Sequence, residues 1–318
     1  MSMQTSAEIL IPADATNALE LPSRPGIASG SMARVRLSAR DYVSLTKPRI
    51  IVLLVLTELT TMVIAARGVP SVTLLLWAAL GGALASGGSG AINCWYDRDI
   101  DRVMARTCSR PLPSGRIRPW QALVFGGSLI VAAVIVFALA VNVLSAALAL
   151  GGGMFYVFIY TMVLKRTTSL NIVIGGAAGA FPPLVGWAAV RGDISWVAVA
   201  LFALVFLWTP PHFWSLALLL RDDYRSARVP MLPTLISTAA TYRRILVYLV
   251  VLIAASLIPA LSLGVGYLIP VAALGALYLG LARWAQRLGT SRAAALLFHY
   301  SLGYLALVFI VGALAAAI

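Results

Sequence analysis

The sequence predicts an all-α polytopic membrane protein with nine transmembrane helices around a central cavity. The first observation is composition: 61% of the 318 residues are hydrophobic and 11% are charged, and the mean hydropathy is +0.93. A soluble domain has about 45–50% apolar and about 25% charged residues. The second is the presence of several apolar stretches of about 18 residues or more, which are long enough to cross a bilayer. The third is the placement of the basic residues in the connections between those stretches.

The membrane-spanning elements are expected to be helices. Backbone groups in lipid must be hydrogen bonded within a helix or a closed barrel, and the alternation of a barrel strand is missing. Nine apolar segments can be placed, at residues 49–66, 71–95, 119–139, 142–162, 170–190, 194–219, 243–263, 267–282 and 294–316.

The distribution of positive charge predicts the orientation. With a cytoplasmic N-terminus, the nine segments leave only Arg67 and Arg191 outside among the 24 Lys and Arg residues. Such asymmetry is typical of a multi-pass inner-membrane protein, here expected in a bacterial cell, and it places the C-terminus on the opposite side. The long polar connections 96–118, 163–169 and 220–242 are then cytoplasmic. We therefore expect the active site to open to the cytoplasmic side.

The net charge of +13 does not by itself indicate nucleic-acid binding. Topogenic charge and attraction to anionic lipid explain most of it, so the bilayer is the expected partner and nucleic acid is not. Residues 1–40 are polar and rich in Ala, Ser and Pro, which predicts a disordered cytoplasmic tail before a single domain at 41–318. Cys94 and Cys108 have no metal-type spacing, and a disulfide framework is not expected.

Three oxygen-bearing side chains follow one another at the end of the second segment. Asn93, Asp97 and Asp101 are four residues apart, so each is rotated only about 40° from the last and all three rise along one helix face. Such a ladder suits a hard divalent cation, Mg²⁺, that is shared with a phosphate group. Asp99 points off this face and is expected to pair with Arg98 or Arg102.

Cationic residues near the ladder are candidates for binding diphosphate or another anion. Arg106 and Arg110 follow the ladder, again four residues apart. Lys165 ends the fourth segment, and Lys47 and Arg49 flank the proline that opens the first. We predict Asp97, Asp101, Arg106, Arg110 and Lys165 as the catalytic set.

A second cluster lies at the end of the sixth segment. Residues 208–214 read Trp-Thr-Pro-Pro-His-Phe-Trp, and His212 directly follows two prolines that are expected to bend the helix. Asp222 and Asp223 then follow and could complete the second half of a cation site with Asn93, Asp97 and Asp101 as metal ligands. Which of these two aspartates touches metal stays open.

Several motifs resemble the intramembrane UbiA-type prenyltransferase superfamily. The run Asn93-x3-Asp97-x3-Asp101 with Arg106-Thr107-x2-Arg110-Pro111-Leu112 is similar to its diphosphate-binding motif. Four further stretches resemble the branch of the superfamily that farnesylates haem: Thr46 to Arg49, Lys165 to Thr167 with Asn171 to Gly176, Trp208 to Trp214, and Asp222 to Tyr224 with Val229 to Pro233. The similarity runs from about residue 41 to the last segment.

The resemblance implies a substrate pair and a reaction. Farnesyl diphosphate and haem B would give haem O and diphosphate, with Mg²⁺ as cofactor, and the 2-vinyl group of the porphyrin would gain the farnesyl chain and a hydroxyl. A haem O-modifying enzyme or an oxidase under assembly would be the downstream partner. Lys47, Arg49, Tyr160, Asn171 and His212 are the expected substrate-binding residues, with His212 either an axial ligand of the haem iron or a partner of a propionate.

Other functions fit parts of the sequence. A prenyltransferase for an aromatic quinone precursor or for chlorophyllide would share the ladder, but has no obvious use for His212. A secondary transporter for an anionic solute would also have basic residues and broken helices, but its charges would lie at the midplane. A non-catalytic haem- or lipid-binding protein is disfavoured because the acids would repel the propionates.

Overall fold

The computed structural model describes residues 38–318, and every regular element in that part is a helix. Residues 1–37, which hold most of the predicted tail, lie outside the described residues. The described part contains nine helices that are long and apolar enough to cross a membrane: Pro48–Ala66, Val72–Tyr96, Pro119–Ala140, Val143–Thr167, Asn171–Arg191, Trp196–Leu219, Thr238–Leu263, Val265–Leu288 and Ser291–Ala317. The predicted all-α fold with nine transmembrane helices is confirmed.

Short helices join or subdivide these spans. In chain order the helices are α1 (Ala39–Leu45), α2 (Pro48–Ala66), α3 (Val72–Tyr96), α4 (Arg98–Val103), α5 (Pro119–Ala140), α6 (Val143–Met154), a π-helix (Phe155–Leu164), α7 (Lys165–Thr167), α8 (Asn171–Gly175), α9 (Ala177–Arg191), α10 (Trp196–Leu219), α11 (Arg221–Ser226), α12 (Leu232–Leu235), α13 (Thr238–Leu257), α14 (Ala260–Leu263), α15 (Val265–Leu288) and α16 (Ser291–Ala317).

Hydroxyl side chains start four of the long helices. Ser71, Ser195, Ser237 and Thr290 each accept a hydrogen bond from the backbone N–H of the third residue after them. The first N–H groups of a helix have no partner within it, so a side-chain oxygen at the N-cap satisfies one of them. Each of these four helices therefore begins directly after a polar residue that caps it.

The nine spans pack as a closed series. α3 packs on α2 and α5, α6 on α5 and α9, α10 on α9 and α13, and α15 on α13 and α16, while α16 returns to α2. Hydrogen bonds join the turns at the end of the bundle that was predicted to be external: Arg67 donates to Ser262, and Asn142 donates to the Ala188 carbonyl at 2.8 Å. These contacts agree with the alternating path of the chain.

Two glycines let neighbouring helices approach α2 around a buried acid. Glu58 is 2% exposed, and an added Cβ at Gly82 of α3 would lie 2.0 Å from its Oε2 atom. An added Cβ at Gly186 of α9 would lie 2.2 Å from the Glu58 carbonyl oxygen. Small residues at such positions allow close helix packing within a membrane.

Two spans differ from the simple helices that were predicted. The fourth contains the π-helix Phe155–Leu164, and the fifth divides at Gly176 into α8 and α9. In the sixth, where a bend was expected at Pro210 and Pro211, α10 stays helical through both prolines. Neighbouring helices and local backbone adjustment allow prolines inside a membrane helix.

Candidate active site

The ladder of Asn93, Asp97 and Asp101 is buried, with 3%, 2% and 3% exposure. α3 ends one residue before Asp97, which lies at the junction with α4. The backbone nevertheless keeps the helical register, because the Asp97 N–H donates to the Asn93 carbonyl and the Asp101 N–H donates to the Asp97 carbonyl, both at 2.9 Å. The ladder therefore spans two helices and not one, and its four-residue spacing is retained.

Asp97 is held by basic and amide groups. Its Oδ2 atom accepts hydrogen bonds from Lys165 Nζ and, at 2.9 Å, from Asn93 Nδ2. Its Oδ1 atom is 3.5 Å from an Arg166 Nη atom and has no hydrogen-bond partner among the described residues. A buried carboxylate oxygen without a hydrogen bond is unusual, because such groups are normally satisfied.

Asp101 lies at the other end of the ladder, against the loop that follows. Arg110 Nη1 is 2.8 Å from Asp101 Oδ2, and the Thr107 hydroxyl donates to the Asp101 carbonyl at 3.0 Å. Burial disfavours the Arg110 cation and is the largest single influence on it, but the neighbouring groups, the Asp101 carboxylate foremost, together raise the pKa of Arg110 above its ordinary value. The loop thus keeps a permanent positive charge beside the ladder.

Lys47 reaches the ladder from a strained backbone position. It has φ 58° and ψ 59°, left-handed values that cost an L-residue about 1–2 kcal/mol, and it precedes Pro48 at the start of α2. From there Nζ donates to Asn93 Oδ1 at 2.5 Å and lies 3.4 Å from the Tyr156 hydroxyl. Strained residues concentrate at functional sites, where other contacts hold them in place.

The π-helix supplies Tyr156 and Thr161, which were not in the predicted set, together with Tyr160, which was. Thr161 accepts from Asn93 Nδ2 at 2.9 Å and donates to the Tyr156 carbonyl, five residues earlier, at 2.8 Å. Tyr156 and Tyr160 stack with ring centres 5.5 Å apart. π-helical turns are frequent at functional sites. The aromatic and hydroxyl residues before Lys165 were visible in the sequence, but the wider turn that aims them was not.

The expectation that Asp99 pairs with a neighbour in sequence is wrong. Its two carboxylate oxygens each accept from Arg166 at 2.7 Å, and that hydrogen-bonded pair lowers the pKa of Asp99 to about 2. Arg166 comes from α7, so it joins two segments, and its planar guanidinium binds both oxygens at once. Arg166 is a site residue that was not included in the predicted set.

Asn171 is fully buried beside Lys165. Its Nδ2 atom donates to the Lys165 carbonyl at 3.3 Å, and its Oδ1 atom has no hydrogen-bond partner in the described part of the chain. The amide therefore orients the end of α7 and leaves an acceptor available.

Some predicted residues lie apart from the ladder. Arg49 and Arg106 are exposed, and neither forms an ion pair within residues 38–318. The Asp222 side chain is 99% exposed and lies 3.8 Å from Arg225, whereas Asp223 accepts from the Ala105 N–H at 3.1 Å. Of the two aspartates, only Asp223 contacts the loop that follows the ladder.

The predicted five-ligand metal set is not drawn together around one point. Within residues 38–318, no three His, Cys, Asp or Glu side chains are grouped as a metal site. Lys165 neutralises Asp97 and Arg110 neutralises Asp101 in this structure. The ladder alone still fits a divalent cation in its chemistry: it offers amide and carboxylate oxygens, and Asp97 Oδ1 lacks a hydrogen bond.

His212 lies in an aromatic environment on α10. It is 7% exposed, and its ring stacks on Trp208 with centroids 4.2 Å apart and on Phe298 with centroids 4.8 Å apart. Its Nδ1 atom is 2.6 Å from Ser301 Oγ. The rings that stack on His212 are aromatic and uncharged, in contrast to the charged ladder.

A family model matches most of the chain. The model of the UbiA prenyltransferase family covers residues 54–308. The chain belongs to this family. The expectation drawn from the motifs is therefore confirmed at the level of the family.

Relatives from the same family are similar over most of the chain. A protein named protoheme IX farnesyltransferase from Roseiflexus sp. (strain RS-1) is 49% identical over 291 residues, which cover 91% of this chain and 54% of the relative. A protein of the same name from Gloeobacter violaceus is 49% identical over 286 residues, or 89% of this chain and 94% of the relative. The chain thus spans about half the length of the Roseiflexus protein.

Solved structures confirm the fold. A digeranylgeranylglyceryl phosphate synthase superposes with a TM-score of 0.69 at 17% identity, covering 87% of this chain and 98% of that one. A UbiA homologue from Archaeoglobus fulgidus, bound to DMAPP and Mg²⁺, gives 0.65 at 15% identity, covering 87% and 99%. The chain therefore has the multi-pass membrane fold of this family.

Proposed function

We propose that this protein transfers the farnesyl group of farnesyl diphosphate to the 2-vinyl group of haem B, with addition of water, to give haem O and diphosphate. The observation that carries the proposal is the buried ladder of Asn93, Asp97 and Asp101 surrounded by Lys47, Lys165 and Arg110. Buried acids with this many cations suit a phosphorylated substrate and a divalent ion. The names of the most similar relatives support haem as the acceptor.

Asn93, Asp97 and Asp101 are the residues that would hold Mg²⁺, and Asp223 is the better placed of the two aspartates on α11. Bound Mg²⁺ would supply charge neutralisation at the diphosphate leaving group. The acids require a counter-charge in any state, because unpaired carboxylates are costly at this degree of burial. Lys165 and Arg110 provide it in the structure described here.

The basic residues would stabilise the negative charge of the leaving diphosphate. Negative charge builds on the diphosphate as the allylic C–O bond breaks, and fixed cations stabilise it most where water is excluded. Lys47, Lys165 and Arg110 already lie at the ladder and can donate hydrogen bonds to diphosphate oxygens. Because Lys47 is held in a strained conformation, its ammonium group is positioned before substrate arrives.

The apolar half of the site is assigned to haem. Trp208, Phe298 and His212 offer stacked aromatic surface and one imidazole for a large planar substrate. The vinyl group would attack the farnesyl carbon as the C–O bond to diphosphate breaks, while these side chains keep water away from the farnesyl cation. Water would then add to the resulting cation at the porphyrin and lose a proton, which leaves the hydroxyl group. Asn171 and Tyr160, which adjoin the ladder, are assigned to substrate positioning.

The proposal also includes the membrane in which the protein lies and its orientation there. The charged end of the bundle would face the cytoplasm of a bacterial cell, with the C-terminus on the other side of the inner membrane. A downstream enzyme that modifies haem O, or an oxidase that takes it up, would be the partner for the product. The charge asymmetry of the connections supports this orientation.

A membrane assay with mass analysis tests the function. Membranes that contain the protein are supplied with haem B, farnesyl diphosphate and Mg²⁺, and the extracted porphyrin should gain the mass of one farnesyl group plus one hydroxyl group. Asp97→Asn and Asp101→Asn should abolish this product while the protein still inserts. Asp193→Asn is the matched control, because this carboxylate accepts from Trp187 Nε1 at 3.1 Å near the opposite end of the bundle. Unmodified haem with the unsubstituted protein would contradict the proposed function, and near-normal product from both ladder variants would contradict the role assigned to the ladder.

A further inference from the structure

The ring of His212 is fixed on both faces and at one edge. Trp208 lies one helical turn earlier on α10 and stacks on one face at an interplanar angle of 17°, and Phe298 of α16 stacks at 27°. The Nδ1 edge faces Ser301 of α16. Trp208 Nε1 also donates to the Ser301 carbonyl at 2.8 Å, so two side chains of α10 bind a single residue of α16.

The distances at Ser301 determine where its proton lies. Ser301 Oγ is 2.5 Å from the Phe298 carbonyl oxygen and 2.6 Å from His212 Nδ1. A hydroxyl has one proton to donate, and two oxygen atoms approach this closely only when a proton lies between them. The carbonyl has no proton, so Ser301 must donate to Phe298. The close contact with Nδ1 then requires that Nδ1 carry its own proton and donate it to Ser301.

We propose that Ser301 is a positioning residue that fixes His212 as the Nδ1–H tautomer, so that Nε2 presents its lone pair to the iron of haem B. A neutral imidazole has one donor and one acceptor nitrogen, and the bond made by one nitrogen sets the role of the other. This inference rests on the proposed function, since it takes haem B as the substrate.

The tautomer also distinguishes the two roles that the sequence left open for His212. A neutral Nε2 that carries no proton cannot donate a hydrogen bond to a propionate, whereas it can coordinate iron. No charged side chain of the described residues forms a hydrogen bond or ion pair with His212, so its environment lacks the acid that would keep it protonated. Axial ligation is therefore the role that this geometry supports, and the Nδ1–H bond to Ser301 makes Nε2 a stronger donor to the metal.

Resonance Raman spectroscopy of ferrous haem B bound to the purified full-length protein tests the proposal without turnover. No farnesyl diphosphate is added. The unsubstituted protein should show an iron–imidazole stretching band, and His212→Ala should lose it. In Ser301→Ala the band should move to lower frequency, and the Kd for haem should rise about fivefold to tenfold, as expected for one lost hydrogen bond. Ser301→Thr keeps the hydroxyl and should restore both values.

Ser215→Ala is the matched control. Ser215 is a fully buried serine on α10 that donates to the Pro211 carbonyl at 2.7 Å, and its hydroxyl makes no hydrogen bond to His212. The Ser215→Ala protein should show the same iron–imidazole band and the same Kd for haem as the unsubstituted protein. Thermal unfolding of each variant shows whether Ser301→Ala is folded, and Ser301→Thr provides the readout if it is not.

Two results would overturn the inference. One is a folded Ser301→Ala protein with an unchanged band and an unchanged haem Kd. The other is haem O production by a protein that shows no iron–imidazole band, which leaves the proposed transferase intact. The converse result, a band with the expected Ser301 dependence but no haem O, supports this inference and contradicts the transferase.

Discussion

Replacing Lys165 with methionine tests the central ion pair of the site. Asp97 and Lys165 side chains are 2% and 16% exposed, so both charges are largely removed from water. Breaking a buried pair by removing one partner costs about 3–5 kcal/mol, because the other charge is left uncompensated. The Arg166 guanidinium, 3.5 Å from Asp97, and the Asn93 amide at 2.9 Å remain. We therefore expect a loss near the lower end, about 3 kcal/mol.

A double-mutant cycle separates this stability effect from catalysis. Asp97→Asn alone leaves a lysine that can still reach water and should cost less, about 1–2 kcal/mol. In the Asp97→Asn/Lys165→Met protein neither charge is buried, so the loss should be about 2–3 kcal/mol where strictly additive effects would give about 4–5 kcal/mol, a coupling energy of about 2 kcal/mol. None of the three variants should make haem O, because each lacks the Asp97 carboxylate, the Lys165 ammonium group or both.

The assay is reversible unfolding in mixed detergent–SDS micelles, followed by tryptophan fluorescence, with product measured by mass. Arg106→Met is the matched control, since it removes an exposed cation that lacks an ion-pair partner within residues 38–318, and it should stay within about 0.5 kcal/mol. A Lys165→Met protein as stable as the unsubstituted one would refute the pairing, as would strictly additive single effects. Haem O production by the double variant would refute the catalytic assignment of both residues.

Two further predictions concern an exposed ion pair and a helix contact. The pKa of Asp99 is lowered to about 2 from 3.8, so the stability that its pair with Arg166 adds is present above about pH 4 and lost as pH falls toward 2. The difference in unfolding free energy between the unsubstituted protein and Asp99→Asn should follow this course. It should stay below about 1 kcal/mol because the pair is exposed, and it should be constant from pH 5 to 8. A difference that grows on acidification would contradict the prediction. Gly82→Ala should cost about 1–3 kcal/mol in the same unfolding assay, because its Cβ would lie 2.0 Å from Glu58 Oε2, whereas Gly127→Ala, with no atom within 4 Å of its Cβ, should be neutral or slightly stabilising. Equal effects of the two glycine substitutions would show that α3 does not press on Glu58.

The spans were predictable because hydropathy is a local property. The first predicted segment, 49–66, and the helix Pro48–Ala66 agree within one residue. The eighth was predicted to end at 282, but α15 continues to Leu288 and ends at Gly289, which has φ 62°. Arg283 and Arg287 were read as the start of a loop, although long basic side chains at a helix end can reach water while the helix continues. Hydropathy marks where lipid ends and not where a helix ends.

The ladder was predictable for the same reason, since spacing in sequence sets the direction of Asn93, Asp97 and Asp101. Its counter-charges were only partly predictable. Asp99 was assigned to neighbours in sequence, but Arg166 binds both of its oxygens from another helix. Asp222 was kept as a metal candidate beside Asp223, because the sequence cannot show that one carboxylate faces solvent and the next faces a loop.

By itself the sequence determined the nine apolar spans, their alternating path and the spacing of the acidic ladder, because each depends on residues within a few turns of one another. The tertiary structure decided which cations meet which acids and how Lys47 is aimed. It also placed Ser301 Oγ, 89 residues away in the chain, 2.6 Å from His212 Nδ1. These features depend on distances between segments that are remote along the chain, and the packing of the helices fixes those distances.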